Sequence, residues 1–169
     1  GFQAYMNTAT PPPNSYEIRV TGQKWQWWFT YPNGWGDPEL HAPRGIPIKL
    51  TMTSEDVIHS LFIPDFRLKK DVVPGRYTTA WFEAVATGGH HIFCAEYCGT
   101  EHSGMVTRAV IHEPEDYLAW LENAASFYDE MPPVTAGAEM MKKFGCVQCH
   151  NMDGKVGTGP PLNDLFGRE

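Results

Sequence analysis

Residues 93–105 read FCAEYCGTEHSGM, and this stretch holds four candidate soft metal ligands: Cys94, Cys98, His102 and Met105. Thiolate, imidazole and thioether groups favour copper, zinc or iron–sulfur clusters over hard cations. Structural zinc usually takes its cysteines from a CxxC knuckle, and methionine is a poor zinc ligand. A blue-copper site needs one cysteine, whereas two thiolates can bridge two copper ions that each take one histidine and one weak axial ligand. The stretch therefore predicts a two-copper centre that lacks one histidine.

His59, in EDVIHSLFIPDF, is the best candidate for the missing histidine. It lies well upstream in a β-rich segment, where a sandwich fold would bring it beside the loop that follows Cys94. The alternative for this residue, taken alone, is a hydrogen-bonded core histidine.

The region around these residues, 15–112, consists of short β-rich runs separated by Gly, Pro and Asn. A long helical pattern is missing from this region, and YPNGWGDPE has the composition of a turn. This spacing predicts an antiparallel β-sandwich or barrel. The strand candidates, enriched in β-branched and aromatic residues, are YEIRVTG, WQWWFTY, IPIKLTMT, YTTAWFEAVA and MVTRAVIHE.

The pattern changes to helical after residue 112. Pro114 suits a first helical turn, and EDYLAWLENAASF predicts a helix that ends before the linker Met131-Pro132-Pro133. A second, short helix is predicted within AGAEMMKKFGCVQCH.

The second cysteine pair lies in GCVQCH, which is the CxxCH attachment pattern of c-type haem. Cys146 and Cys149 would form thioethers with the haem, and His150 would be the proximal iron ligand. A redox dithiol is the alternative for this pair, and two disulfides are the alternative for all four cysteines.

The charge and the distribution of apolar residues exclude some classes of function. A net charge of −7 without a basic run argues against a nucleic-acid partner. The sequence has no apolar stretch of about 18 residues, so none of it is predicted to span a membrane. Residues 113–139 are acidic and contain no lysine or arginine, which would keep a linker soluble or attract a basic cytochrome.

CAEYCGTEHSGM, DVIHSLFIPDFRLKKDVVPGR and GQKWQWWFTYPNG resemble subunit II of cytochrome c oxidase, which carries the dinuclear CuA centre. The resemblance covers about residues 15–112. It implies that Cys94 and Cys98 bridge the coppers and that His59 and His102 each bind one. Met105 would be the axial ligand of one copper, and the backbone carbonyl of Glu96 that of the other.

The same resemblance gives roles to two further side chains. The carboxylate of Glu96 would help to hold a magnesium ion where subunits I and II meet. Trp25 matches the residue where electrons enter, although packing in the sandwich core is the alternative. The sequence departs from the family at Gln26, where an aromatic residue is common, and at His90-His91; neither change removes an expected ligand.

The segment GTGPPLNDLFGR after the CxxCH resembles the loop of class I cytochromes c. There the carbonyl of Pro160 would accept the imidazole N–H of His150. The expected distal methionine does not appear before residue 169, so we expect a partial haem module whose sixth ligand lies in a longer chain.

Together the resemblances imply a mainly β protein: a cupredoxin-like Greek-key β-sandwich, a helical linker and a partial all-α class I cytochrome c module. The expected parts are a linker from N-terminal membrane helices (1–14), the CuA domain (15–112), a helix and linker (113–134), and the partial cytochrome c domain (135–169).

The implied function is electron transfer within a haem-copper oxidase of a bacterial cell membrane, on its periplasmic face. Electrons would pass from a cytochrome c donor or a quinol–cytochrome c reductase complex, through haem c and CuA, to haem a of subunit I. The alternatives are the copper domain of a nitrous or nitric oxide reductase, a copper-delivery protein, and a zinc-stabilised interaction domain.

Overall fold

The computed structural model describes residues 1–124 and 131–163. The chain divides into two units, Gly1–Ala124 and Ala125–Glu169. The end of the predicted 115–127 helix and the last six residues of the expected cytochrome c domain lie outside the described residues.

Two five-stranded sheets make up the first unit, in the orders β3-β2-β1-β5-β8 and β4-β10-β9-β6-β7. The pairs β1/β5 and β4/β10 are parallel, and the other pairs are antiparallel. The strands are β1 Tyr16–Gln23, β2 Gln26–Thr30, β3 Gly36–Asp37, β4 Leu40–Pro43, β5 Ile48–Ser54, β6 His59–Ile63, β7 Leu68–Val72, β8 Thr78–Phe82, β9 Gly88–Cys94 and β10 Val106–His112.

The two sheets enclose one apolar core, to which strands such as β5 contribute alternate side chains. In β5 the inward side chains are Ile48, Leu50 and Met52, and none of them is exposed. Burial of an apolar side chain of this size contributes about 1.5–3 kcal/mol. The prediction of a mainly β sandwich is confirmed, but its strands are not all antiparallel as predicted, since β1 and β4 each have a parallel neighbour.

The predicted runs correspond to β1, β2, β5, β8 and β10, while the other strands lack the expected pattern. All of β6 except Phe62 is buried, so its residues do not alternate. In β7 the three middle residues are exposed and charged, and β9 begins with two glycines and two histidines. The turn prediction for 31–39 was partly wrong, since β3 forms within it and β4 follows at Leu40.

The register of the second sheet places three predicted metal ligands at one end of the sandwich. His59 begins β6 and Cys94 ends the antiparallel β9, with Leu61 opposite Cys94. Met105 directly precedes β10, whose first residue pairs with Phe93.

Two helices belong to the first unit. Helix α1, Phe2–Ala9, buries none of its residues and was not predicted. Helix α2, Pro114–Asn123, begins at the proline that the sequence indicated. Its Trp120 stacks on His41 with ring centroids 3.9 Å apart, and His41 Nδ1 lies 2.8 Å from His112 Nε2.

In the second unit, helix α3 spans Pro133–Lys143, and a short 3-10 turn follows at Cys146–Gln148. The helix begins at Pro133, with Pro132 as its N-cap, where the sequence indicated a linker. The predicted helix also ends earlier than expected, because Gly145 adopts a left-handed conformation at φ +70°. Within 1–124 and 131–163, none of the helices is long and apolar enough to cross a membrane.

Candidate metal centre

The two thiols of the 93–105 loop lie side by side at the end of the sandwich. Cys94 Sγ and Cys98 Sγ are 3.7 Å apart, and both side chains are buried. Neither cysteine is in a disulfide. The loop returns on itself because Gly99 adopts φ +121°, a conformation that side chains disfavour.

Each thiol faces one histidine. His59 Nδ1 lies 3.8 Å from Cys94 Sγ, and His102 Nδ1 lies 3.4 Å from Cys98 Sγ. His59 is fully buried, whereas His102 is half-buried in a 3-10 turn at His102–Gly104. The distant histidine therefore faces one thiol, and the local histidine faces the other.

Weaker donors complete the cluster. Met105 Sδ lies 3.9 Å from Cys98 Sγ, and the carbonyl oxygen of Glu96 lies 3.2 Å from Cys94 Sγ. The methionine is fully buried, while the Glu96 residue as a whole is exposed. All six residues that the resemblance indicated for CuA thus meet at one place.

The distances suit soft metal ions. With metal–sulfur and metal–nitrogen bonds of about 2.3 and 2.0–2.1 Å, two sulfurs on one ion lie within about 4.6 Å, and a sulfur and a nitrogen within about 4.4 Å. The separations between the paired donor atoms of Cys94, Cys98, His59 and His102 fall inside these limits. Ligand atoms of His59 and both cysteines also lie within 4.8 Å of one another. The donor set fits a copper pair.

Asp56 fixes the orientation of the His59 ring. His59 Nε2 lies 2.8 Å from Asp56 Oδ1, and an ionised carboxylate only accepts, so Nε2 carries the proton and Nδ1 remains free for a metal. The backbone N–H groups of Val57 and Lys24 also donate to Asp56, at 2.6 and 2.7 Å. These donors hold the carboxylate in place.

The same contacts shift the acidity of the cluster. Burial alone would raise the pKa of the Cys94 thiol, but its contact with His59 and backbone hydrogen bonds outweigh burial and lower the pKa to about 6. Burial and the neighbouring Cys94 raise the pKa of Cys98 to about 12. Burial would lower the pKa of His59, but Cys94 and Asp56 raise it. The geometry therefore favours one thiolate at neutral pH.

Trp25 contacts the loop that carries the two thiols. Its half-buried indole donates an N–H hydrogen bond to the Cys98 carbonyl at 3.1 Å. Gly99 permits this contact, because a Cβ at that position would lie 3.1 Å from the indole nitrogen. Trp25 thus touches the ligand loop while it also packs against the core.

Other sequence features do not join the centre. His90 Nδ1 lies 2.7 Å from Asp65 Oδ2, and His91 stacks on Phe93. Sequence reasoning missed Gly22, whose backbone lies against the His59 ring. The sequence feature that could have indicated Gly22 is a glycine at an inward position of β1, where the preceding inward residues, Ile18 and Val20, are large and apolar.

The second cysteine pair forms a separate candidate site within the second unit. Cys146 and Cys149 are free thiols at the 3-10 turn. His150 Nδ1 lies 2.8 Å from the Pro160 carbonyl oxygen, the contact that the resemblance implied. This contact leaves Nε2 as the free ring nitrogen, and Gly159 lies so close that a Cβ would be 2.7 Å from His150 Cε1. The arrangement fits covalent haem attachment.

The chain is similar in sequence to known subunit II proteins of cytochrome c oxidase. The family model for the cytochrome c oxidase subunit II periplasmic domain matches residues 36–112. The alternative cytochrome c oxidase subunit 2 of Bradyrhizobium diazoefficiens is 31% identical over 159 residues, which cover 75% of this chain and 57% of that protein. The chain therefore spans 57% of the length of this relative.

The solved structures similar to the chain include two of cytochrome oxidase subunit II. The periplasmic domain of subunit II of cytochrome oxidase of Bradyrhizobium japonicum has a TM-score of 0.66 at 29% identity, covering 69% of this chain and 98% of that one. The structure of a mixed disulfide intermediate between a thioredoxin-like protein and subunit II of cytochrome c oxidase has a TM-score of 0.61 at 30% identity. The match covers 68% of this chain and 95% of that one.

Proposed function

The chain belongs to the cytochrome c oxidase subunit II family, and we propose that it is the electron-transfer part of a haem-copper terminal oxidase. In this role it receives electrons from a cytochrome c donor and delivers them to haem a of subunit I, where the assembled complex reduces oxygen. The observation that carries the proposal is the convergence of two thiols, two imidazoles, a thioether and a carbonyl at one end of the sandwich.

The protein would hold a dinuclear copper centre through this cluster. Cys94, Cys98, His59 and His102 would hold the ions through their sulfur and Nδ1 atoms. Bound copper would supply a centre that gains and loses single electrons. Met105 and the Glu96 carbonyl would be the weaker donors.

The ligands are held in place by the fold. His59 and Met105 are fully buried, and Asp56 orients the His59 ring by its hydrogen bond to Nε2. Such fixed surroundings limit rearrangement when the charge of the centre changes, and they exclude water from most of the donor atoms.

Electrons would enter near Trp25. Its indole contacts the carbonyl of Cys98, which gives a short connection from a half-buried aromatic ring to a ligand. His102 is also half-buried and carries the exposed ring of Tyr97 against it, with centroids 5.8 Å apart. The ligand loop therefore reaches the surface on this side.

The second unit would carry haem c. Cys146 and Cys149 would attach it, and His150, whose ring contacts the Pro160 carbonyl through Nδ1, would bind its iron through Nε2. A bound haem c would supply a second one-electron centre in the same chain. The partial class I cytochrome c fold and the boundaries 1–14, 15–112, 113–134 and 135–169 are part of this proposal.

The proposed partners follow from the family. The domain would lie on the periplasmic face of a bacterial cell membrane, held by membrane helices, with subunit I as its neighbour. The exposed Glu96 residue would face subunit I and provide one ligand to a magnesium ion there. The donor would be a cytochrome c or a quinol–cytochrome c reductase complex.

A thioredoxin-like reductant is a further proposed partner. The related subunit II forms a mixed disulfide with a thioredoxin-like protein. In this chain, a disulfide between Cys94 and Cys98 would block copper binding. A dithiol reductant would donate two electrons and two protons through a mixed disulfide, restoring both thiols.

Metal and haem quantification on the full chain tests the proposal. After copper loading we expect two coppers per chain and the electron paramagnetic resonance (EPR) pattern of one electron shared between two copper nuclei. Cys98→Ser should give at most the pattern of a single copper. Wild-type chain that shows only a single-copper spectrum, or that loses copper readily to a strong chelator, would contradict the dinuclear assignment.

The haem proposal has its own experiment. The chain is expressed with a cytochrome c maturation system, and covalent haem is detected by its visible spectrum after denaturation. Wild-type chain should retain haem, whereas Cys146→Ala with Cys149→Ala should not. Wild-type chain without covalent haem would refute this part and leave the copper proposal standing.

A further inference from the structure

Gly22 occupies a position in β1 where the strand would ordinarily carry a large apolar side chain. The inward residues of β1 are Ile18, Val20 and Gly22, and all three are buried. The two apolar side chains fill the core, whereas the glycine leaves room beside its Cα. A glycine inside a strand often marks a close approach of another group.

The group that approaches is the imidazole of His59. A Cβ on Gly22 would lie 3.1 Å from His59 Cδ2, 3.4 Å from His59 Cγ and 3.2 Å from Trp27 Cζ3. The His59 and Trp27 rings are in edge contact, with centroids 5.9 Å apart. The imidazole is therefore packed between the backbone of β1 and an indole.

The backbone of Gly22 has little freedom to move away. Gly22 pairs with Trp27 on β2 and with Ser54 on β5, so β1 lies between two hydrogen-bonded neighbours. Its carbonyl also accepts from the Glu55 N–H at 3.0 Å. A side chain at this position would have to displace the rings and not the strand.

We propose that Gly22 is a positioning residue for the copper ligand His59. This inference rests on the proposed copper centre. Asp56 fixes which ring nitrogen carries the proton, and Gly22 sets how closely the ring packs against β1. Together they determine where Nδ1 lies relative to Cys94 Sγ.

The substitution Gly22→Ala isolates this role. Gly22 is not among the glycines with positive φ, so the backbone accepts alanine and the effect comes from the methyl group. The contacts at 3.1 and 3.2 Å require a neighbour to move by a few tenths of an ångström. Gly89→Ala is the matched control, because Gly89 is an exposed strand glycine whose Cβ would meet nothing within 4 Å.

The test compares both variants with the wild-type full chain. In copper-loaded Gly22→Ala we expect an EPR hyperfine pattern that shows unequal sharing of the electron, and copper affinity lower by about tenfold, the low end for groups that support a ligand. In the metal-free chain, the NMR signal of the His59 Nε2–H should shift. Gly89→Ala should match wild type in all three measurements.

The outcomes separate this inference from the copper proposal. If wild type binds two coppers and Gly22→Ala has the same spectrum, affinity and His59 signal, the positioning role is refuted. If wild type does not form a copper pair, the proposed function fails, and the His59 signal still decides whether the methyl moves the ring.

A variant that does not fold is replaced by Gly22→Ala with Trp27→Leu, compared with Trp27→Leu alone. The leucine removes the indole contact of the new methyl and leaves its contact with His59. A folded double variant should still show the shifted His59 signal and the altered EPR spectrum. The same signal and spectrum in the double variant and in Trp27→Leu would overturn the proposal.

Discussion

Replacement of Asp56 by asparagine should weaken both the fold and the metal site. Asp56 Oδ1 accepts from His59 and Val57, while Oδ2 accepts from the Lys24 N–H. In asparagine one oxygen becomes an N–H₂ group, which would face a donor in either amide orientation. The substitution therefore removes one hydrogen-bond acceptor and places the asparagine N–H₂ group against an N–H group that can only donate.

The magnitude follows from the number and exposure of these bonds. A hydrogen bond to a charged group contributes about 1.5–3 kcal/mol. The Asp56 side chain is 29% exposed, so water compensates part of this loss. We expect the metal-free chain to lose about 1–2 kcal/mol of unfolding free energy and the loaded chain to lose about 10–100-fold in copper affinity.

The assay is chemical denaturation of the metal-free chain, together with copper competition against a chelator. Glu55→Gln is the matched control, since it removes a neighbouring exposed carboxylate of the same charge. Equal stability and equal copper affinity in Asp56→Asn and Glu55→Gln would refute the orienting role of Asp56.

The pH dependence adds an independent check. Burial would raise the pKa of Asp56, but hydrogen bonds from His59, Val57 and Lys24 outweigh it and lower the pKa. A lowered carboxyl pKa contributes stability above its unfolded value of about 3.9, and this contribution is lost as the pH falls through the folded pKa. The stability difference between wild type and Asp56→Asn should therefore shrink below about pH 4.

Three further predictions concern other groups. Ultraviolet titration of the reduced metal-free chain with Cys146→Ala and Cys149→Ala, which retains only Cys94 and Cys98, should show one thiolate with a midpoint near pH 6 that is absent once Cys94→Ser is added. Burial and the neighbouring Cys94 keep Cys98 protonated well above neutral pH; two thiolates that appear together near the ordinary thiol value of about 8.5 would contradict this. Trp25→Phe should slow reduction of the copper centre by a cytochrome c in stopped-flow experiments, with the copper spectrum unchanged. It should also lower the free energy of unfolding by about 0.5–1.5 kcal/mol, because the hydrogen bond to the Cys98 carbonyl is lost. An unchanged rate would show that Trp25 only packs against the loop. Burial lowers the pKa of His112. As the pH drops below about 6.5, this histidine is therefore protonated in the unfolded chain before it is protonated in the folded one, and the free energy of unfolding decreases. His112→Gln should flatten this fall by up to about 1.4 kcal/mol per pH unit, whereas His91→Gln should not, and equal slopes in the two variants would refute the assignment.

The strands that the sequence predicted are those in which one face meets the core and the other meets water. In β5 the buried and half-buried residues alternate through all seven positions, so the pattern is visible in the sequence. Strand β6 lies inside the second sheet between β7 and β9 and is almost entirely buried, so it has no such pattern. Strand β7 is at a sheet edge, where charged side chains protect against further pairing.

The candidate site was predictable to different depths. Four donors fall between Cys94 and Met105, so their types and spacing alone indicated soft metal chemistry. His59 required the fold, because only the pairing of β6 with β9 brings it to Cys94. Gly22 was not predicted, since its contribution is the absence of a side chain where a ring packs.

The position of the site follows from the chain directions in the sheets. Strand β6 starts where the antiparallel β9 ends, so the first residue of one and the last residue of the other share an end of the sandwich. The turn between β1 and β2 from the other sheet reaches the same end and brings Trp25 to the Cys98 carbonyl. Donor groups from the second sheet and its β9–β10 loop therefore meet an aromatic contact from the first sheet. The candidate copper site depends on strand register as much as on its ligands. A one-residue slip of β6 would turn His59 to the outer face of its sheet, so the fully buried Leu61 and Ile63 that fix this register also hold the ligand in place.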